Sequence, residues 1–145
     1  MLDPMRSLDR RPTVVLADDH PRVLSRVGEL LANECNVVAG VSDGIKVVQA
    51  AVKHKPDIVV LDIGMPGLDG IQAAREVRRL LLPMPARLIF LTVQEDADYI
   101  RAAHELGASY VVKRRMHIDL LLAVKEALAG RIFVSPRVLT HSGAI

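Results

Sequence analysis

The chain is short of aromatic residues and nearly free of cysteine: its 145 residues include two Tyr, two Phe, no Trp and a single Cys, Cys35. One cysteine excludes an internal disulfide and a multi-cysteine zinc centre, and Cys35 is expected to be a small buried or loop thiol. So few aromatics leave no stacking platform for bases or a flavin ring. No apolar run approaches the ~20 residues that span a bilayer. The opening residues, MLDPMRSLDRRP, lack the apolar stretch of a signal peptide. The expectation is a cytoplasmic protein that makes no membrane contact. An excess of one charge is also missing, because 19 Lys and Arg against 17 Asp and Glu leave a net charge of only +2. That bias is too weak to argue for direct nucleic-acid binding, and the run Lys113-Arg114-Arg115 is too short to add to it. Beyond its first member that run is expected to be a solvated loop. His20, His54, His104, His117 and His141 show no metal-ligand spacing and are expected on the surface.

What is present is a regular alternation of strand-like and helix-like segments from about Thr13 to Ala129. Val14–Ala17 is short, β-branched and uninterrupted, as a strand buried on both faces should be, and Asn36–Val41, Ile58–Leu61, Leu88–Leu91 and Ser109–Val112 read as four further strands. Between them, Val23, Leu24, Val27, Leu30 and Leu31 trace a helical stripe after Pro21, which suits a first helical turn. A second helix covers Asp43–His54 with Asp43 as its cap. A third places Ile71, Ala74, Val77 and Leu81 on one face and stops before Pro83 and Pro85. A fourth, Ala97–Leu106, has a thin apolar face of Ile100, Ala103 and Leu106, and Gly107 closes it. A fifth, Ile118–Ala129, carries Leu121, Leu122 and Leu128. Five βα units predict an α/β fold: a doubly wound, five-stranded parallel sheet of order 2-1-3-4-5, the flavodoxin-like arrangement.

The strand endings form one chemical set. The first strand runs into Asp18-Asp19, the third into Asp62, the fourth into Thr92 and the fifth into Lys113. In an open parallel sheet the carboxyl ends of the strands share the edge where ligands bind. Asp18 and Asp19 would face Asp62 across the crevice between the first and third strands. Clustered carboxylates repel each other, so either a cation neutralises them or their proton affinities rise. Hard oxygen ligands with room for water suit Mg²⁺. A carboxylate can also act as a phosphoryl nucleophile, while Lys113 and Thr92 can bind phosphoryl oxygens.

With these residues in place the chain resembles the receiver domains of two-component response regulators. The resemblance rests on the Asp18-Asp19 pair, Asp62 in LDIGMPGLDG, Thr92 in LIFLT and Lys113 in GASYVVK. Tyr110, three residues before the lysine, fits the family's switch aromatic. VVAGVSDG and GRIFVSPRVL look like the LuxR-type subfamily, whose members usually carry a helix-turn-helix output domain. The resemblance implies that a histidine kinase or phosphotransfer protein phosphorylates Asp62. Asp18, Asp19 and Asp62 would hold Mg²⁺ with help from the backbone carbonyl of Gly64. It further implies a switch rather than an enzyme, read out through Thr92, Lys113 and Tyr110, with possible homodimerisation on the face formed by the fourth helix, fifth strand and fifth helix.

Two positions depart from the common pattern. Arg114 stands where many receivers have Pro, and Val93 where Ala or Gly is usual. Val93 is expected to narrow access to Asp62 and slow both phosphorylation and hydrolysis. A phosphatase of the haloacid-dehalogenase type would need a second Asp two residues beyond Asp62, and Gly64 stands there. An FMN carrier would need a hydroxyl- and glycine-rich loop after the first strand, which is missing. The expected organisation is a flexible segment over residues 1–12, a receiver over 13–130 and a linker or tail over 131–145. That tail is too short for a DNA-binding output domain, so DNA contact would need a domain outside this chain. The linker-like stretch Ile132–Val138 favours a piece of a LuxR-type transcription regulator. The alternatives are a stand-alone receiver and a degenerate receiver used only as a binding module.

Overall fold

The computed structural model describes residues 11–136. His141 and the end of the 132–138 stretch fall outside them. Five strands alternate with five α-helices: β1 (Thr13–Ala17), α1 (Pro21–Leu31), β2 (Asn36–Val41), α2 (Gly44–His54), β3 (Ile58–Leu61), α3 (Gly70–Leu80), β4 (Arg87–Thr92), α4 (Ala97–Glu105), β5 (Ser109–Val112) and α5 (Met116–Leu128). All pairings are parallel and the order is β2-β1-β3-β4-β5, the doubly wound sheet that the alternation predicts.

The period-two geometry of a strand sorts the uninterrupted apolar runs into two cores. Val15, Ala17, Val59, Leu61, Phe90, Tyr110 and Val112 point to one side, where they pack with Val47 and Ala51 of α2, Ala73, Ala74 and Val77 of α3 and Ala103 of α4. Val14, Leu16, Ile58, Val60, Ile89, Leu91 and Val111 point to the other, against Val27 and Leu31 of α1 and Leu120, Ala123, Val124 and Ala127 of α5. Each large aliphatic side chain buried in this way contributes about 1.5–3 kcal/mol relative to exposure. Cys35 is buried in the second core.

Local signals place the helix ends. Asp43 and Asp69 cap α2 and α3 through their carboxylates, accepting from the amides of Lys46 and Gln72. Gly107 follows α4 at φ +68°, a left-handed conformation that ends a helix at little steric cost. The fifth helix differs from the expectation. It starts at Met116, after a 3₁₀ turn over Lys113–Arg115. Its buried face is Leu120, Ala123, Val124 and Ala127, whereas Leu122 and Leu128 are exposed.

The crevice at the switch point between β1 and β3 is pinned by backbone bonds. The amide of Asp62 donates to the carbonyl of Ala17, and that of Asp18 to the carbonyl of Val41. Below it, Gly70 at the start of α3 lies so close to the exit of β3 that a Cβ there would stand 2.0 Å from the carbonyl oxygen of Asp62. Only glycine permits that approach.

Candidate functional site

Asp18, Asp62, Thr92 and Lys113 converge at the carboxyl edge of the sheet, as their places at four strand ends require. Asp18, Asp62 and Thr92 are almost wholly buried. Asp19 stands at the rim and is exposed. The Lys113 ammonium bridges two carboxylates, with Nζ 2.7 Å from Asp18 Oδ2 and 2.9 Å from Asp62 Oδ2. Burial alone would lower the lysine pKa, but the hydrogen bonds to Asp18 and then Asp62 outweigh it and hold the group above its ordinary value. Lys113 therefore stays charged and offsets part of the repulsion inside the pocket.

The other Asp62 oxygen, Oδ1, accepts from the amide of Ile63 at 2.7 Å and more weakly from that of Gly64 at 3.4 Å. These bonds fix the carboxylate at the head of the turn.

His20 lies on the surface, as expected, and also belongs to the acidic site. Its Nδ1 lies 2.9 Å from Asp18 Oδ1 and 3.0 Å from Asp19 Oδ1. Asp18, Asp19, His20 and Asp62 each offer a ligand atom within 4.8 Å of the others, a group that could hold a metal ion. A six-coordinate Mg²⁺ at about 2.0–2.1 Å from its oxygens spaces opposite ligands about 4.2 Å apart. The group would draw in around the ion from its present spread of up to 4.8 Å, and carboxylate oxygens have the right hardness. His20 is legible only as the residue after the acidic pair and before the helix-starting Pro21. Spacing between histidines gives no hint of it.

Around this pocket lie the residues expected to relay its state. Thr92 Oγ1 accepts from the amide of Gln94 at 3.2 Å. Tyr110 is buried: its ring centroid lies 6.4 Å from that of Phe90, and its hydroxyl donates to the carbonyl of Gln94 at 2.8 Å. Burial first, then the nearby carboxylates of Asp96, Asp62 and Glu95, pushes the phenol pKa well up. Val93 projects outward with 67% exposure.

The basic run is not a solvated loop. Arg114 pairs with Glu95 at 2.6 Å and Arg115 with the buried Asp119 at 2.8 Å. Glu95 and Ser135 are partners that the sequence alone does not single out, whereas Asp119 stands four residues beyond Arg115 at helical spacing.

Comparison with known proteins places this geometry. Residues 14–125 match the response regulator receiver domain family. The chain is 32% identical over 133 residues to the transcriptional regulatory protein DegU of Brevibacillus brevis, covering 89% of this chain and 55% of that protein. It thus spans little more than half the length of the curated relatives it matches. Among solved structures, a LuxR-family two-component response regulator from Aurantimonas sp. SI85-9A1 superposes with a TM-score of 0.84 at 31% identity, covering 92% of this chain and 96% of that one. The isolated receiver domain of RcsB from Salmonella enterica serovar Typhimurium, solved with the phosphomimetic BeF3−, superposes with a TM-score of 0.81 at 26% identity, covering 90% and 98%. Four strand-end residues gathered on one edge of a 2-1-3-4-5 sheet, and a family match over the same span, lead to one assignment: the chain belongs to the response regulator receiver domains, among those of LuxR type.

Proposed function

We propose that Asp62 is the phosphoacceptor of this chain and that its phosphorylation drives a signalling switch. The observation that carries the reading is Lys113, whose ammonium spans Asp18 and Asp62. It supplies a fixed positive charge where an incoming phosphoryl group would arrive. Asp62 presents a carboxylate oriented by two backbone amides at the end of the central strand. One of its oxygens forms the new P–O bond as the bond to the donor breaks, and the electron pair of that bond leaves with the donor. A donor histidine on a kinase or phosphotransfer protein, or a small acyl phosphate, supplies the group. Little more than positioning and charge neutralisation is needed from the protein.

Asp18, Asp19 and Asp62, with the backbone carbonyl of Gly64, would hold Mg²⁺. When bound, the ion neutralises the clustered carboxylates and the phosphoryl oxygens. Thr92 would donate its hydroxyl to a phosphoryl oxygen, and Tyr110 would follow that movement through Gln94. The face of α4, β5 and α5 would then pass the change on, by homodimerisation or by contact with an output domain. Among described residues no helix is long and apolar enough to cross a membrane, which fits a cytoplasmic regulator. The resemblance to LuxR-type regulators supports transcriptional control through a DNA-binding domain outside this chain. The role is that of a substrate and switch, with slow loss of its own phosphoryl group, rather than of a turnover enzyme.

The test is chemical. Acetyl phosphate with Mg²⁺ should add one phosphoryl group by intact mass, and Asp62→Asn should abolish the addition. Undiminished labelling of that variant would move the site elsewhere.

A further inference from the structure

Beyond α5 the chain doubles back along the outer edge of β5, and Val134 forms a parallel bridge with Tyr110. The amide of Tyr110 donates to the carbonyl of Phe133 at 2.8 Å, and that of Ser135 to the carbonyl of Tyr110 at 2.9 Å. Side chains complete the attachment. Ser109 Oγ accepts from the amide of Phe133 at 3.0 Å. Ser135 is fully buried, and its Oγ accepts from the amide of Val112 at 3.2 Å while donating to Asp119 Oδ2 at 2.8 Å.

Asp119 is itself buried in the first turn of α5, where Arg115 grips both its oxygens at 2.8 and 3.2 Å. Undocking the segment would strip a hydrogen bond from a buried carboxylate and leave the amides of Tyr110 and Val112 without their acceptors. Five directional hydrogen bonds give the segment a defined docked state rather than a loose association.

We propose that Phe133–Ser135 is a latch caught by Asp119, and that its docking is energetically coupled to the acidic pocket. Two routes of contact join them. Tyr110 binds the segment through its backbone and the β4–α4 loop through its hydroxyl, at Gln94, two residues beyond Thr92. Lys113, held by Asp18 and Asp62, begins the 3₁₀ turn that ends with Arg115, the residue gripping Asp119. A phosphoryl group on Asp62 that draws Thr92 and Lys113 inward therefore favours the arrangement in which Tyr110 and Arg115 hold the segment. The pocket and the latch then bias one equilibrium, and the coupling is reciprocal. The input to this device rests on the reading of Asp62 as phosphoacceptor; the latch itself does not.

Amide hydrogen exchange of the 145-residue chain, followed by NMR at Tyr110, tests both parts. Ser135→Ala should speed exchange there at least tenfold, with the core amides of β1 and β3 unchanged. Arg115→Ala, which leaves Ser135 intact, should act in the same direction. Mg²⁺ with beryllofluoride should slow Tyr110 exchange at least threefold in the unaltered chain and not in Ser135→Ala, and by reciprocity Ser135→Ala should bind beryllofluoride correspondingly more weakly. Unchanged Tyr110 exchange in both variants would overturn the latch. Beryllofluoride shifts at Asp62 and Gly64 without any change at Tyr110 would overturn the coupling. A chain that takes up no beryllofluoride fails the phosphoacceptor reading, and the coupling falls with it, while the two variants still decide the latch.

Discussion

The hydroxyl of Tyr110 donates to the backbone carbonyl of Gln94 at 2.8 Å, tying the middle of β5 to the loop that leaves the acidic pocket. Thr92 lies two residues upstream of that carbonyl and itself accepts from the Gln94 amide. Gln94 is thus held from both sides, by a candidate phosphoryl ligand and by the candidate switch residue.

Removing the tyrosine hydroxyl tests this tie. Tyr110→Phe should cost about 0.5–1.5 kcal/mol at neutral pH, the worth of one hydrogen bond whose acceptor can still find water. The pH dependence gives a second readout. Burial and the surrounding carboxylates raise the phenol pKa above its ordinary 10.0, so the unfolded chain loses this proton before the folded one does. Stability should be undiminished below pH 10.0 on this account and fall as pH rises past it. Lys113, raised above 10.5, adds a decline of the same sign at slightly higher pH. Urea denaturation between pH 8 and pH 11 should show a shallower alkaline decline in Tyr110→Phe, with the Lys113 part remaining.

Lys113 should matter more when no divalent ion is present. Its side chain is only 11% exposed and lies against two buried carboxylates. Lys113→Ala should still fold but lose about 2–4 kcal/mol, below the full figure for breaking a buried pair because the site keeps some solvent. Millimolar Mg²⁺ should restore more stability in this variant than in the unaltered chain, since the ion replaces the missing positive charge. Denaturation midpoints with and without Mg²⁺ measure the difference, and equal responses would separate the lysine from the metal site.

Asp19 predicts the opposite pattern. It is more exposed than Asp18 or Asp62, with a third of its side chain open to solvent, and it adds negative charge without a buried partner to lose. Asp19→Ala should leave metal-free stability unchanged or slightly raised, because one source of repulsion is gone. Mg²⁺ affinity should fall at least about tenfold with the loss of a charged oxygen ligand. Calorimetric titration with Mg²⁺ checks this, and unimpaired binding would remove Asp19 from the ligand set.

These residues differ in how far the sequence exposes them. Asp18, Asp62, Thr92 and Lys113 are legible because each ends an uninterrupted apolar run, and a strand buried on both faces gives that pattern directly. The face of α5 is not legible. Its sequence, MHIDLLLAVKEAL, offers leucine at three successive positions, so helical periodicity cannot choose among them. The choice is made by the sheet, which takes Leu120 with the small side chains Ala123 and Ala127 and leaves Leu122 in solvent. The Arg114–Glu95 pair is hidden because it joins segments 19 residues apart across two elements. Arg115 and Asp119, at i and i+4, carry a readable signal. Ser135 acts through tertiary neighbours that no local spacing specifies, whereas His20 sits against its sequence neighbours Asp18 and Asp19.

Gly70 offers the sharpest link between fold and chemistry. It opens α3 directly behind Asp62, and an added Cβ would lie 2.0 Å from the Asp62 carbonyl oxygen and 2.6 Å from the Ile63 Cα. Both are backbone atoms of the turn that orients the candidate phosphoacceptor, so no side chain can swing aside. Gly70→Ala must therefore push α3 away from the end of β3 or displace the turn. Either response disturbs the bond from the Gly70 amide to the carbonyl of Ile63, now 2.7 Å, and with it the Ile63 amide that holds Asp62 Oδ1. The expected loss is at least about 2 kcal/mol, since overpacking against rigid backbone exceeds what a flexible core absorbs. The labelling rate of Asp62 by acetyl phosphate should drop at least tenfold even at temperatures where the variant is fully folded. Gln72→Ala, two residues along the same helix and leaving the Asp69 cap intact because Asp69 accepts from the Gln72 backbone, should keep both stability and rate close to the unaltered values. If Gly70→Ala lost stability but labelled at the normal rate, the close approach would serve the packing of α3 alone, not the orientation of Asp62.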